Sequence, residues 1–196
     1  MSIKVLFIDN FDSFTYNLVD EFEKRNCEVL VYRNNADMKI IDGAIKKFKP
    51  NLIVISPGPG TPAQSGNCIN IIKEYHPKIA IFGVCLGLQC IVEAMGGKVG
   101  KCIETVHGKP SKITHDEKTI FAGIENPFQA GRYHSLAAID VPYCLEISAR
   151  TIDKSVIMAV RHKETLVEGV QLHPESILTP AGGLIIENII RLVGKK

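Results

Sequence analysis

Apolar positions along the first hundred residues follow two alternating rhythms. Runs that are apolar almost throughout, near 3–9, 28–32, 51–56 and 78–84, read as strands buried on both faces. Between them, near 14–25, 37–48, 67–75 and 86–95, apolar residues recur every three or four positions, the spacing of an amphipathic helix. Strand–helix alternation with short polar connections predicts an α/β fold: an open, mostly parallel sheet with helices on both faces. Right-handed crossovers then bring the loops that follow the strands to one edge of the sheet, where such sheets bind ligands. Beyond residue 97 the rhythm changes. Segments near 98–106, 110–115, 128–133, 136–140, 144–150, 156–162 and 165–171 are short, β-like and separated by turn residues, which predicts antiparallel pairing. A last helical pattern spans 180–193, with Leu184, Ile185, Ile189 and Leu192 in one stripe that belongs in a core. No repeat, low-complexity tract or linker divides the chain, so a single domain over 1–196 is expected.

Composition changes this picture little. Hydrophobic content of 45%, charged content of 22% and a net charge of +2 are those of an ordinary soluble globular protein. Lys46-Lys47 and Lys195-Lys196 read as solvated surface, so no nucleic-acid partner is expected. The apolar start, Ile3 to Asp9, is too short for a signal peptide, and no run approaches the roughly 20 residues of a membrane span. The six cysteines (27, 68, 85, 90, 102 and 144) form no Cys-x-x-Cys pair and no metal spacing with histidine. Reduced thiols in a cytoplasmic protein, without disulfide or metal, are expected. A nicotinamide, flavin or nucleotide site is not, because Asp9-Asn10-Phe11-Asp12 has no glycine and Gly58–Gly60 and Gly96-Gly97 lack a Gly-x-Gly-x-x-Gly or P-loop pattern.

Candidate chemistry begins at Gly83-Val84-Cys85-Leu86-Gly87-Leu88-Gln89, which follows the apolar run Ile79 to Phe82. Small residues on both sides of Cys85 permit a sharp strand-to-helix turn, a nucleophile elbow with sulfur in place of oxygen. At a helix start the positive end of the dipole favours thiolate. A buried structural cysteine is the plain alternative. A cysteine nucleophile needs a base, and the base needs an orienting group. His173-Pro174-Glu175 follows the strand-like Glu168 to Leu172 and supplies both, with Pro174 fixing one backbone angle between them. The tripeptide alone is an ordinary loop; with the elbow it completes a Cys/His/Glu set.

At these residues the chain resembles the class I, triad-type glutamine amidotransferase domains, from Val5 to the last helix. A third matching block is Ser56-Pro57-Gly58-Pro59-Gly60-Thr61-Pro62. Were the strands before it and before Cys85 parallel neighbours, their ends would lie about 4.8 Å apart, so this loop can reach the elbow. The resemblance implies a flavodoxin-like fold and a triad of Cys85, His173 and Glu175. It also implies glutamine and oxyanion contacts from Gly58, Pro59, Gly60, Leu86, Gln89, Ser135 and Leu136. Asp9-Asn10-Phe11-Asp12-Ser13-Phe14-Thr15-Tyr16-Asn17, His107-Gly108-Lys109 and Gly131-Arg132-Tyr133-His134-Ser135-Leu136 resemble blocks of the glutaminase subunits of anthranilate synthase and aminodeoxychorismate synthase. The partner so implied is a separate chorismate-using synthase subunit, which carries the Mg²⁺; this chain needs no cofactor. Read locally, Ser13 is a helix N-cap, Tyr133 and Leu136 pack a sheet, and Phe11, Phe14 and Tyr16 pack in a core or an interface.

The chain departs from the pattern at Leu88, where the family usually has histidine, at Leu172, where it has phenylalanine, and at Gly131, where it has threonine or a similar residue. Leu88 would alter packing or the field around Cys85, and Gly131 would loosen its strand. Glutaminase subunits of GMP or imidazole glycerol phosphate synthesis are the nearest rivals. From other classes come a cysteine peptidase-like hydrolase and a non-catalytic regulatory subunit. The complete set of blocks argues against the first, and the intact triad residues against the second.

Overall fold

The computed structural model describes residues 2–153 and 155–195, without the side chains of 103–107. Its first half is the predicted alternation: β1 (Lys4–Asp9), α1 (Thr15–Glu23), β2 (Glu28–Arg33), α2 (Met38–Phe48), β3 (Leu52–Ile55), α3 (Cys68–Tyr75), β4 (Ala80–Val84) and α4 (Leu86–Ala94). Then come β5 (Lys98–His115), β6 (Phe128–Asp140), β7 (Leu145–Thr151), β8 (Ile157–His162), β9 (Val167–Val170) and α5 (Gly182–Gly194). These strands join one sheet in the order β2-β1-β3-β4-β9-β8-β7-β5-β6. Pairing is parallel from β2 to β9 and antiparallel from β9 to β6.

Alternation within the central strands divides the core into two layers. Val5, Phe7, Val54, Phe82 and Val84 face α1 and α5, while Leu6, Ile8, Ile53, Ile55 and Ile81 face α2, α3 and α4. Each buried side chain of this size contributes about 1.5–3 kcal/mol relative to exposure. Ile185 and Ile189 of the last helix are buried and Leu184 and Leu192 pack at the margin, as the stripe required.

Three expectations need correction. The pairs 98–106 with 110–115, and 128–133 with 136–140, are each one continuous strand. Gly108, at φ +67°, absorbs a bulge in β5. Pro110 is tolerated because β5 has only β6 beside it there; β7 joins at Ile113. Secondly, β9 is antiparallel only to β8; against β4 it is parallel. Thirdly, Ser13 does not cap α1. Phe14 takes that position, and Asp12 Oδ2 accepts the Phe14 N–H at 2.8 Å. Phe11, Phe14 and Tyr16 are more than half exposed, which removes the core reading.

Arg161 on β8 lies inside the antiparallel half. Its Nε donates to Oε1 of the wholly buried Glu168 at 2.8 Å, and its Nη1 to Asp116 and Glu146 at 2.8 and 2.9 Å. Burial pushes the Glu168 carboxyl up to about 7, against the opposing pull of Arg161.

Candidate active site

The direction of winding reverses between β1 and β3, the crevice in which sheets of this type bind ligands. A cavity of about 850 Å³ opens there, at the C-terminal ends of β1, β3, β4 and β9.

Cys85 sits between β4 and α4 at φ 53°, ψ −101°, a conformation that costs a non-glycine residue about 1–3 kcal/mol. Its surroundings enforce it. The Cys85 N–H donates to the Val170 carbonyl at 2.8 Å, and the two flanking glycines let strand and helix meet. A Cβ on Gly83 would stand 2.5 Å from the carbonyl carbon of Gly87, and one on Gly87 would strike the Ile55 carbonyl oxygen. No side chain caps the start of α4, so backbone N–H groups at this turn are placed to receive negative charge.

Across the cavity stands the loop after β9. His173 Nδ1 and Glu175 Oε1 are 2.6 Å apart, and the Tyr133 ring meets the imidazole edge-on with centroids 5.0 Å apart. Thr179 fastens this loop to β6: its hydroxyl donates to the His173 carbonyl at 2.8 Å and accepts the Gly131 N–H at 3.0 Å. Nε2 of His173 is buried and has no hydrogen-bond partner among the described residues. Burial opposes the charged imidazole, but Cys85 and Glu175 outweigh it and hold the His173 pKa well above the ordinary histidine value. Asp12 lines the same cavity; burial raises its carboxyl, against the Phe14 N–H it accepts. The arrangement can therefore form a thiolate–imidazolium pair beside backbone donors, the equipment of nucleophilic acyl transfer.

The third wall is the loop after β3. Asn10 ties it to β1: its N–H donates to Ser56 Oγ at 2.9 Å and its Nδ2 to the Ser56 carbonyl at 2.8 Å. Gly58 lies against Asn10 so closely that any Cβ would collide with it.

Cys85, His173, Glu175, Gly58 and Pro59 meet around this one cavity. The other sequence-predicted residues stand back from it. Leu86 is buried beneath Gly58. Gly60, at φ +81°, shapes the turn into a short 3₁₀ helix at Pro62–Gln64. Gln89 is buried and donates to the Leu136 carbonyl and to Gln171, both at 3.2 Å. Ser135 is exposed beside the half-buried Leu136. The side chain of His107 lies outside the described residues. Leu88 is wholly buried among apolar neighbours on the far side of α4, against Gly169, and Leu172 is buried in the opposite layer. Neither lines the cavity. Sequence reasoning missed Gln171, which is wholly buried and whose Nε2 donates to Cys85 Sγ at 3.5 Å. Its one signal was period two, which puts 171 on the side of 173.

Comparison with known proteins bears on the same span. Residues 6–192 match the family model described as Glutamine amidotransferase class-I. Anthranilate synthase component 2 of Methanocaldococcus jannaschii is 53% identical over 181 residues, 92% of this chain and 89% of that one. The component 2 of Buchnera aphidicola subsp. Schizaphis graminum is 45% identical over 192 residues, 98% of this chain and 97% of that one. Among solved structures, a Thermoplasma acidophilum protein provisionally assigned to GMP synthase superposes with a TM-score of 0.87. That match covers 100% of this chain and 96% of the other at 21% identity, a likeness of fold. A profile match over almost the whole length, joined to relatives about half identical from end to end, leaves one assignment: the chain belongs to the class I glutamine amidotransferases.

Proposed function

We propose that this chain, as a single amidotransferase domain, is the glutaminase subunit of anthranilate synthase. It hydrolyses L-glutamine and hands the ammonia to a chorismate-using synthase subunit for tryptophan biosynthesis. The observation that carries the chemistry is His173, with Nδ1 held by Glu175 and the imidazole beside Cys85 on the lining of one cavity. The names borne by the relatives support the pathway.

In this reading the Cys85 thiolate attacks the side-chain amide carbon of glutamine. The oxyanion is received by backbone N–H groups at Leu86 and near Gly58, each such donor being worth about 10²–10³ in rate. His173 gives a proton to the departing nitrogen, releasing ammonia and leaving a γ-glutamyl thioester. It then takes a proton from the water that attacks the thioester; glutamate leaves and the thiolate returns. Glu175 holds the imidazole in the tautomer that both steps use. No step calls on a metal or cofactor, and Mg²⁺ belongs to the chemistry of the partner subunit.

Ammonia that escaped to water would be protonated and lost to the synthase, so a partner has to cover the cavity. The exposed apolar residues Phe11, Phe14 and Ile177 on its lining favour such a cover. Among the described residues no helix is long and apolar enough to cross a membrane. A reactive thiol accompanied by five other free cysteines suits a reducing compartment, and we place the protein in the cytoplasm.

The test is Cys85→Ser, assayed with chorismate and the synthase subunit. Glutamine-dependent anthranilate formation should vanish while ammonia-dependent formation persists. Loss of both in an assembled complex refutes the division of labour, and aminodeoxychorismate as the product moves the chain to the folate pathway.

A further inference from the structure

The side-chain amides of Gln89 and Gln171 form a buried chain that ends on the nucleophile, and the chemistry of its far end fixes the sense of every link. Gln89 approaches the Leu136 carbonyl at 3.2 Å. A backbone carbonyl only accepts, so the group that Gln89 turns to it must be the NH₂. The same NH₂ lies 3.2 Å from the Gln171 side chain, which must therefore present its oxygen. The other end of the Gln171 amide, 3.5 Å from Cys85 Sγ, is then an N–H donor. Amide orientations are ordinarily ambiguous, and here the main chain removes the ambiguity.

The Leu136 carbonyl is itself held. His134 Nδ1 lies 2.8 Å from it, and Arg132 Nε donates to His134 Nε2 at 3.2 Å. Burial lowers the His134 pKa to about 4, so the ring is neutral, with the proton on Nδ1 and an acceptor at Nε2. The sequence Arg132, His134, Leu136 carbonyl, Gln89, Gln171, Cys85 thus runs from β6 to the elbow with each donor matched to an acceptor. Gln171 is wholly buried, and its main-chain N–H donates to the Met158 carbonyl at 2.8 Å, which fixes the backbone from which the side chain extends.

We propose that Gln171 is a further catalytic residue, an amide donor to Cys85 Sγ that stabilises the thiolate both as nucleophile and as the group expelled when water opens the thioester, with Gln89 as its positioning residue. The proposal rests on Cys85 being the nucleophile. Its physical basis is that a thiol accepts hydrogen bonds weakly and a thiolate strongly; charge-assisted bonds are roughly twice as strong as neutral ones. The donor therefore favours the charged state over the neutral one. The other titratable groups around the sulfur are His173 and Glu175 after β9 and Asp12 after β1; the neutral His134 acts through Leu136.

The experiment measures the rate of Cys85 alkylation by iodoacetamide against pH, with circular dichroism as the check on folding. Gln171→Met keeps the length and removes the donor. At pH 7 it should slow Cys85 labelling about 5- to 30-fold, the factor for one to two kcal/mol, and move the midpoint of the rate–pH curve upward. Gln171→Glu can still accept from Gln89 but turns an anionic group toward sulfur, so its curve should move further. Gln89→Met, which releases the orientation alone, should move it less than either. A packing role would leave the midpoint in place. Unchanged midpoints in folded Gln171→Met and Gln171→Glu overturn the proposal while wild-type labelling at Cys85 leaves the nucleophile intact. Wild-type labelling at another cysteine with Cys85 untouched overturns both. Should Gln171→Met not fold, the Gln171→Glu and Gln89→Met curves decide by the same rule.

Discussion

Arg161 and His173 each meet a buried carboxylate, Glu168 and Glu175, and they differ in how the cationic side chain is satisfied. At Arg161 the guanidinium is satisfied by Glu168, Asp116 and Glu146 together. At His173 a single carboxylate holds Nδ1, and the ring stands beside Cys85 at the cavity, with no further hydrogen-bond partner for Nε2 among the described residues. Arginine does not release its proton in proteins, whereas histidine exchanges one near neutral pH. Buried charge therefore does not mark function by itself. A titratable ring held by a carboxylate beside a cysteine on a cavity wall does.

Substitutions at the two places should separate chemistry from stability. His173→Ala, assayed in the complex with the synthase subunit, should lower glutamine-dependent turnover by about 10²–10⁴, the usual worth of general acid–base transfer. Its unfolding temperature should fall less than that of Arg161→Met, because water entering through the cavity can solvate Glu175. Arg161→Met should show the reverse. It leaves Glu168 without its cation; the carboxyl answers by taking up a proton, so the loss should stay below the ~3–5 kcal/mol of a stranded buried charge, while glutamine turnover per folded molecule stays at the wild-type level. Denaturant unfolding and activity on the same preparations check both, and a folded Arg161→Met with wild-type stability would erase the contrast.

A smaller effect sharpens the comparison. Glu168 has a folded pKa near 7, above the unfolded carboxyl value, so the folded state binds the additional proton. Its contribution to stability is complete below the unfolded pKa of about 4.3 and is lost as pH rises through about 7. Glu168→Gln removes that term. Relative to wild type, its unfolding free energy should fall less, or rise more, between pH 4.5 and 7, as read from chemical denaturation at a series of pH values. Parallel curves would place the Glu168 proton elsewhere.

Much of this was legible in sequence because it is local. Glycine on both sides of Cys85 and the short spacing of His173 and Glu175 state steric and chemical needs within a few residues. The layers of the parallel half followed from unbroken apolar runs. The antiparallel half was harder. Residues 107–109 read as a break between two strands, with Pro110 opening the second, yet Gly108 and Pro110 occupy a bulge and an open edge of one strand, and only the arrangement of neighbouring strands tells these apart. Ser13 looked like a cap until Asp12 took the N–H beside it. Gln171 gave no local sign of its contact, because its partner stands 86 residues away in sequence. Leu88 shows the converse: a departure from the family pattern next to the elbow that the structure turns into the apolar core.

The anchoring of Gln89 on a main-chain atom has an evolutionary consequence. A backbone carbonyl survives every amino-acid replacement at position 136, so point substitution there leaves the acceptor in place, and mutational scans would read the position as permissive. An insertion or deletion of one residue between Gly131 and Leu136 is another matter. It slides β6 past β5 and exchanges the two faces of the strand, carrying that carbonyl out of reach. For this acceptor, the count of residues between Gly131 and position 136 matters more than the identity of the residue at 136.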